Sequence, residues 1–270
     1  MTLGFSVEAL IPAGRGGGGL TMGLRRLPEA DWLQADPDRA TRKLAFDQDS
    51  DAVIIGPEAV GAGREVAAML GVDGGLAEAA RSCWEDLCLL QPDGDDGQYR
   101  LTAGAVAFPT DWRLADKLGL PLTAIHAPIH GYAEQLAAGV DHFLRTIEPG
   151  PIWGRANWFV VPSPAWRYLP DDGSAERFAH VTADNAGRTL FVRCERQTLR
   201  RLPETGAVLF TIGVHVARLD SLSAAAIGRV ARSVAAVPEG EHERRAAPFY
   251  AGALAGYARS GDRVGVETVA

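Results

Sequence analysis

The sequence predicts an α+β fold, an antiparallel sheet flanked by helices, and three observations carry that prediction. Strand-like segments gather in the middle and second half of the chain without regular βαβ alternation. Two of them, residues 87–91 and 99–108, bracket Pro92-Asp93-Gly94-Asp95-Asp96-Gly97, a strong turn signal that makes the pair a hairpin. Between the strands, Tyr132, Leu136, Val140, Phe143, Leu144 and Ile147 recur at helical spacing and define one apolar face over residues 132–147.

In order, residues 1–20 hold Gly14-Arg15-Gly16-Gly17-Gly18-Gly19, read as a flexible segment. A phosphate-binding loop would close on Lys-Ser or Lys-Thr, whereas Leu20, Thr21 and Met22 follow here. Residues 36–45 read as a short polar helix or turn, with Pro37 near its start. Residues 65–70 and 76–86 read as helices separated by Gly71 to Gly75. Pro149-Gly150-Pro151 stops the long helix, and residues 152–161 follow as an aromatic, β-branched strand containing Arg155 and Asn157. Residues 162–174 read as loop. Residues 189–194 and 207–219 are strands, with a short basic helix expected between them at 197–202. Ser221 or Ser223 caps a helix over 221–237, and residues 250–257 add a helical turn or two in the tail.

The 270 residues suit one large domain with extensions at its ends. Hydrophobic content of 47% and charged content of 23% describe a globular chain. A formal charge of -7 offers no electrostatic footprint for nucleic acid. Cys83, Cys88 and Cys194 form neither a zinc pattern nor a disulfide framework, which suits a reducing cytoplasm. No export signal is expected and no apolar run is long enough to span a bilayer.

Six histidines are present, and no two form a His-Glu-x-x-His zinc arrangement. His126 and His130 are four apart, but Pro128 between them argues against a helix presenting both on one face. One histidine suffices as an axial ligand to haem. No Gly-x-Ser-x-Gly elbow and no dinucleotide-binding fingerprint is present. The segment 188–219 is the most unusual. It sets Arg193, Glu195, Arg196 and Gln197 between two strand-like stretches, and buried charge is costly unless paired or bound.

Several separated motifs, in order, resemble the haem-dependent oxidative N-demethylase family. They are Trp32 with Asp36; Phe108-Pro109-Thr110-Asp111-Trp112 with Lys117-Leu118-Gly119; Ile125-His126-Ala127-Pro128-Ile129-His130-Gly131-Tyr132; and Arg155-Ala156-Asn157-Trp158. The strongest is Leu190-Phe191-Val192-Arg193-Cys194-Glu195-Arg196-Gln197-Thr198-Leu199, continuing to Leu209-Phe210-Thr211-Ile212. The resemblance implies a PAS-like domain over 24–238 holding haem b, after an N-terminal segment 1–23 and before a C-terminal extension 239–270. It implies oxidative demethylation of a small secondary amine with dioxygen, formaldehyde release, and a flavin and iron–sulfur reductase as partner; the alternative is a haem-binding sensor or redox module without turnover. On that reading His126 is the iron ligand, with His130 as alternative. Glu195 and Arg193 are the catalytic candidates. Tyr132, Arg155, Asn157, Trp158, Arg196 and His215 are the candidates for binding the cofactor. One departure stands out: Gly213-Val214-His215 replaces the family's usual Arg-Thr-Tyr.

Overall fold

The computed structural model describes residues 3–11, 20–35, 37–93 and 97–267. The glycine tract at 14–19, Asp36 and the turn residues 94–96 lie outside them. The frame is a seven-stranded antiparallel sheet. Its strands are β1 (Arg25–Leu27), β2 (Val53–Ile55), β3 (Asp86–Asp93), β4 (Gln98–Ala105), β5 (Ile152–Val161), β6 (Phe191–Arg201) and β7 (Val208–Arg218), in the spatial order β1-β5-β6-β7-β3-β4-β2. The α+β expectation therefore stands, and the β3–β4 hairpin and β5 lie where the sequence placed them. The short edge strands β1 and β2 carry too few residues to show a two-residue period.

Residues 197–202 do not form the expected helix. Residues 197–201 continue β6, which pairs with β5 on one side and β7 on the other. A central strand gives every backbone group a ladder partner, and this outweighs the local helical preference of Gln197 to Leu202. The long helix expected at 132–147 is broken at Leu136 (φ −121°) into Tyr132–Gln135 and Ala137–Thr146. The helix Ala224–Ala235 starts at Ser223, whose Oγ accepts from the Ala226 N–H.

β-strand alternation divides the sheet into two faces. Arg155, Asn157, Glu195, Gln197, Leu199, Phe210 and Ile212 share one face and line a cavity. Cys194, Arg196, Thr198, Thr211 and His215 share the other, beneath the short helix Val7–Leu10; there Thr198 and Thr211 hydroxyls bond at 2.6 Å.

The C-terminal helix Ala247–Glu267 packs on the helix Ala186–Thr189 that precedes β6. A Cβ on Gly187 would stand 2.5 Å from Tyr257 Cζ and 2.7 Å from its Cε2. Gly187→Ala is therefore expected to cost about 1–3 kcal/mol by overpacking, read as a lower midpoint in urea; an unchanged midpoint would mean that the Tyr257 ring moves aside freely.

Candidate functional site

A cavity of ≈ 420 Å³ lies against the first face of the sheet, within the range of about 300–1,000 Å³ usual for small-ligand sites. The helices Leu122–Ile125, Tyr132–Gln135 and Ala137–Thr146 contribute Leu122, Tyr132, Val140, Phe143 and Leu144 to its lining, and His126 joins them from the end of the first. Met22 and Leu24 reach it from the segment before β1, and Arg244 to Ala246 from the C-terminal part of the chain. The wall is graded. Leu90, Leu101, Leu144, Leu199 and Phe210 make one region apolar, while Asp111, Tyr168, Arg177, Glu195 and Arg244 supply charged and polar groups elsewhere.

His126 follows the helix Leu122–Ile125 and lines the cavity. Its Nδ1 lies 2.8 Å from the Leu122 carbonyl oxygen. A carbonyl only accepts, so this contact puts the proton on Nδ1 and leaves Nε2 with its lone pair. Nε2 has no hydrogen-bond partner among the described residues. The ring stacks on Tyr132 with centroids 4.5 Å apart. Burial holds its pKa down to about 4, because desolvation penalises the imidazolium. A neutral imidazole, locked in one tautomer and backed by an aromatic ring, is a ready metal ligand. His130, by contrast, does not line the cavity: its backbone N–H donates to Glu241 Oε1 and its ring packs over Gly240.

Glu195 and Asn157 face each other across the β5–β6 ladder, and both line the cavity. Glu195 is only 6% exposed. Gln197 Nε2 donates to its Oε2 at 2.9 Å, leaving Oε1 without a partner among the described residues. Arg155 also lines the cavity. Its Nε donates to Gln197 Oε1 at 2.8 Å, so Arg155, Gln197 and Glu195 form one chain of hydrogen bonds.

The structure does not bring Arg193, Arg196, Trp158 and His215 to the cavity lining. Arg193 is fully buried and spends its guanidinium on five oxygens: Thr110 Oγ1 and the carbonyls of Phe108, Pro109, Ala165 and Trp166. It is a clamp between two loops. Arg196 lies on the opposite face, donating to the carbonyls of Leu3, Asp31 and Trp32 beneath the Phe5 ring. Trp158 alternates away from Asn157, and its carbonyl accepts from Arg245. His215 pairs in register with Cys194 on the far face, where burial holds its pKa down to about 4. Gly213 is on that face too, under Glu85, whose Oε1 would stand 3.4 Å from an added Cβ. The Gly213-Val214-His215 departure is thus a change behind the sheet, with Gly213 and His215 both directed away from the cavity.

Sequence reasoning missed Arg177, Tyr168 and Arg244, and read Asp111 as a turn residue. Asp111 and Ala246 are the two non-glycine residues described with a left-handed backbone, at φ 58° and 52°, and both line the cavity. Such conformations cost energy and survive where the surroundings dictate them. At Asp111 they do: Arg193 grips the carbonyls of Phe108 and Pro109, and the Asp111 N–H donates to the Tyr168 carbonyl at 2.7 Å. Burial raises the Asp111 pKa, opposed by the charges of Arg177 and Arg244. A non-glycine positive φ has no signature in composition, and Arg177 and Arg244 lie in segments without periodicity.

Among the described residues no cluster of three or more His, Cys, Asp or Glu side chains could hold a bare metal ion. The cavity instead offers what a metal macrocycle needs: apolar walls, one neutral imidazole nitrogen and several guanidinium groups. No helix among the described residues is long and apolar enough to cross a membrane. A family model described as haem-dependent oxidative N-demethylase, alpha subunit-like, matches residues 67–253, more than half of the sequence and nearly all of the cavity wall. The chain belongs to the haem-dependent oxidative N-demethylase, alpha subunit-like family.

Proposed function

We propose that this protein is the haem b-holding subunit of a system that oxidatively removes a methyl group from a small secondary amine such as dimethylamine. One oxygen atom of dioxygen leaves in formaldehyde and the other in water, as two electrons and two protons enter. A separate flavin and iron–sulfur reductase supplies the electrons; a family of alpha subunits supports a multi-component system. The single observation that carries the reading is His126, neutral, tautomerically fixed and directed at an apolar cavity.

His126 would hold the iron through Nε2. When bound, the haem supplies the redox chemistry that oxidises an N-methyl group. Tyr132 keeps the imidazole plane fixed. The leucines and Phe210 exclude water, which strengthens every charge interaction inside. Glu195 has one oxygen tied to Gln197 and the other free to accept a hydrogen bond from a protonated amine, or to pass on a proton. Arg155 steadies Gln197 and through it Glu195.

Two measurements test the reading. Protein expressed with haem supply should show a Soret band, and should release formaldehyde from dimethylamine when given dioxygen and a reductant. Glu195→Gln is expected to keep the spectrum and lose about 100-fold or more in turnover, the scale of a lost acid–base group. Unchanged turnover would remove this carboxylate from the mechanism. A haem-loaded protein without formaldehyde release would instead be the redox or sensor module.

A further inference from the structure

We infer that Arg177 is the carboxylate anchor of the cavity, set to receive a propionate of the bound porphyrin; the inference rests on the haem reading above. Arg177 sits in the short helix Ser174–Phe178 and lines the cavity. Its Nη1 donates to Tyr168 Oη at 3.0 Å and its Nη2 to Ser174 Oγ at 2.8 Å, so two neutral oxygens hold the fork in place. Its Nε is buried without an acceptor. Among the described residues no carboxylate lies within ion-pair distance of it. Arg177 is half-buried, and a guanidinium partly withdrawn from water is favoured by an anion that completes it.

Several other arginines of the region are committed elsewhere, Arg245 among them, which donates to the Trp158 carbonyl. Arg244 is bonded twice to Glu241. Arg196, expected to bind the cofactor, and Arg193 are buried against carbonyl oxygens away from the cavity, whereas Arg155 lines it with its Nε bonded to Gln197 Oε1. Asp111 is the nearby internal anion, yet its carboxylate accepts no hydrogen bond from a described residue, and its backbone is clamped through Arg193 and Tyr168. Arg177 thus carries a preorganised fork of the geometry that binds a carboxylate.

A carboxylate on a free ligand presents the same chemistry as a propionate, and the test separates the two. Apoprotein is titrated with haemin and with haemin dimethyl ester, following the Soret band, for the wild type, Arg177→Gln and Arg177→Lys. Arg177→Gln is expected to weaken haemin binding by about 10- to 100-fold, the loss of a charged hydrogen-bond partner, and to leave ester binding unchanged. Arg177→Lys should recover part of the loss, which shows that the charge matters and not only the packing. Equal haemin affinity in wild type and Arg177→Gln overturns the assignment, and so does an equal loss for haemin and its ester. If haemin affinities are equal while acetate perturbs the Soret band of the wild type alone, the carboxylate belongs to a free ligand and the propionate assignment falls. Failure of the wild type to bind haemin at all overturns the haem reading and this assignment together.

Discussion

Replacing His126 with alanine is expected to abolish the histidine-ligated absorption spectrum of the haem-loaded protein. His130→Ala and His215→Ala should leave that spectrum intact. The contrast follows from position. His126 lines the cavity with its Nδ1 proton committed to the Leu122 carbonyl. His130 packs on Gly240 and His215 faces the opposite side of the sheet. Added imidazole should restore a nitrogen-ligated spectrum to His126→Ala, because the substitution opens space at the cavity wall. The carbon monoxide difference spectrum of the reduced protein reads all three variants. An unaltered spectrum in His126→Ala would sink the assignment and send the search to the other two histidines. Stability should change less than ligation, since the wild-type ring is already neutral and its one hydrogen bond is local.

Arg42→Met is expected to destabilise the fold by about 3–5 kcal/mol, because it strands a buried carboxylate. Arg42 is fully buried, and its Nη1 meets Asp86 Oδ1 at 2.7 Å, with side chains 0% and 1% exposed. Its Nη2 donates to the carbonyls of Ala80 and Glu85, and the guanidinium lies between the Phe46 and Phe108 rings, 4.8 Å from each centroid. Asp86 in turn accepts from the backbone N–H groups of Ala107 and Phe108. That places the pair one step from the strained turn at Asp111, so the loss should reach the cavity as well as the core. A domain is stable by only about 5–15 kcal/mol, so Arg42→Met should shift the denaturant midpoint substantially. Asp86→Asn in the same chain should recover part of the loss, since a neutral amide is cheaper to leave unpaired than a carboxylate. A single-variant change below about 0.5 kcal/mol, the level of an ordinary surface substitution, would show that water reaches Asp86 in the native state.

Much of this protein was legible in its residues. The β3–β4 hairpin, β5, the first half of β6, β7 and the helix at Ser223 follow from local patterns of hydrophobicity, turn chemistry and capping. The segment carrying His126 and the pair Glu195 and Asn157 were also picked out, through motifs that lie on elements lining the cavity. The puzzle of Arg193 and Arg196 was recognised correctly as one of buried charge, but its solution was not. Both arginines end on main-chain carbonyls from 27 to 193 residues away, including Trp166, Phe108, Trp32 and Leu3. Nothing local to β6 announces those acceptors.

Sequence by itself determined the class of fold, the family and the residue types available for chemistry, because periodicity and motif spacing are local properties of a chain. Tertiary structure alone decided which face of β6 and β7 meets the cavity. Alternation sorts Glu195 from Arg196 and Ile212 from Gly213, but only packing says which set lies under the helices after Pro121 and which lies under Val7–Leu10. It also decided that Arg177, from a segment with no periodic signal, stands at the cavity while Arg193 serves as a clamp. The physical reason is common to both: a charge is placed by the partners that offset its desolvation, and here those partners come from distant parts of the chain.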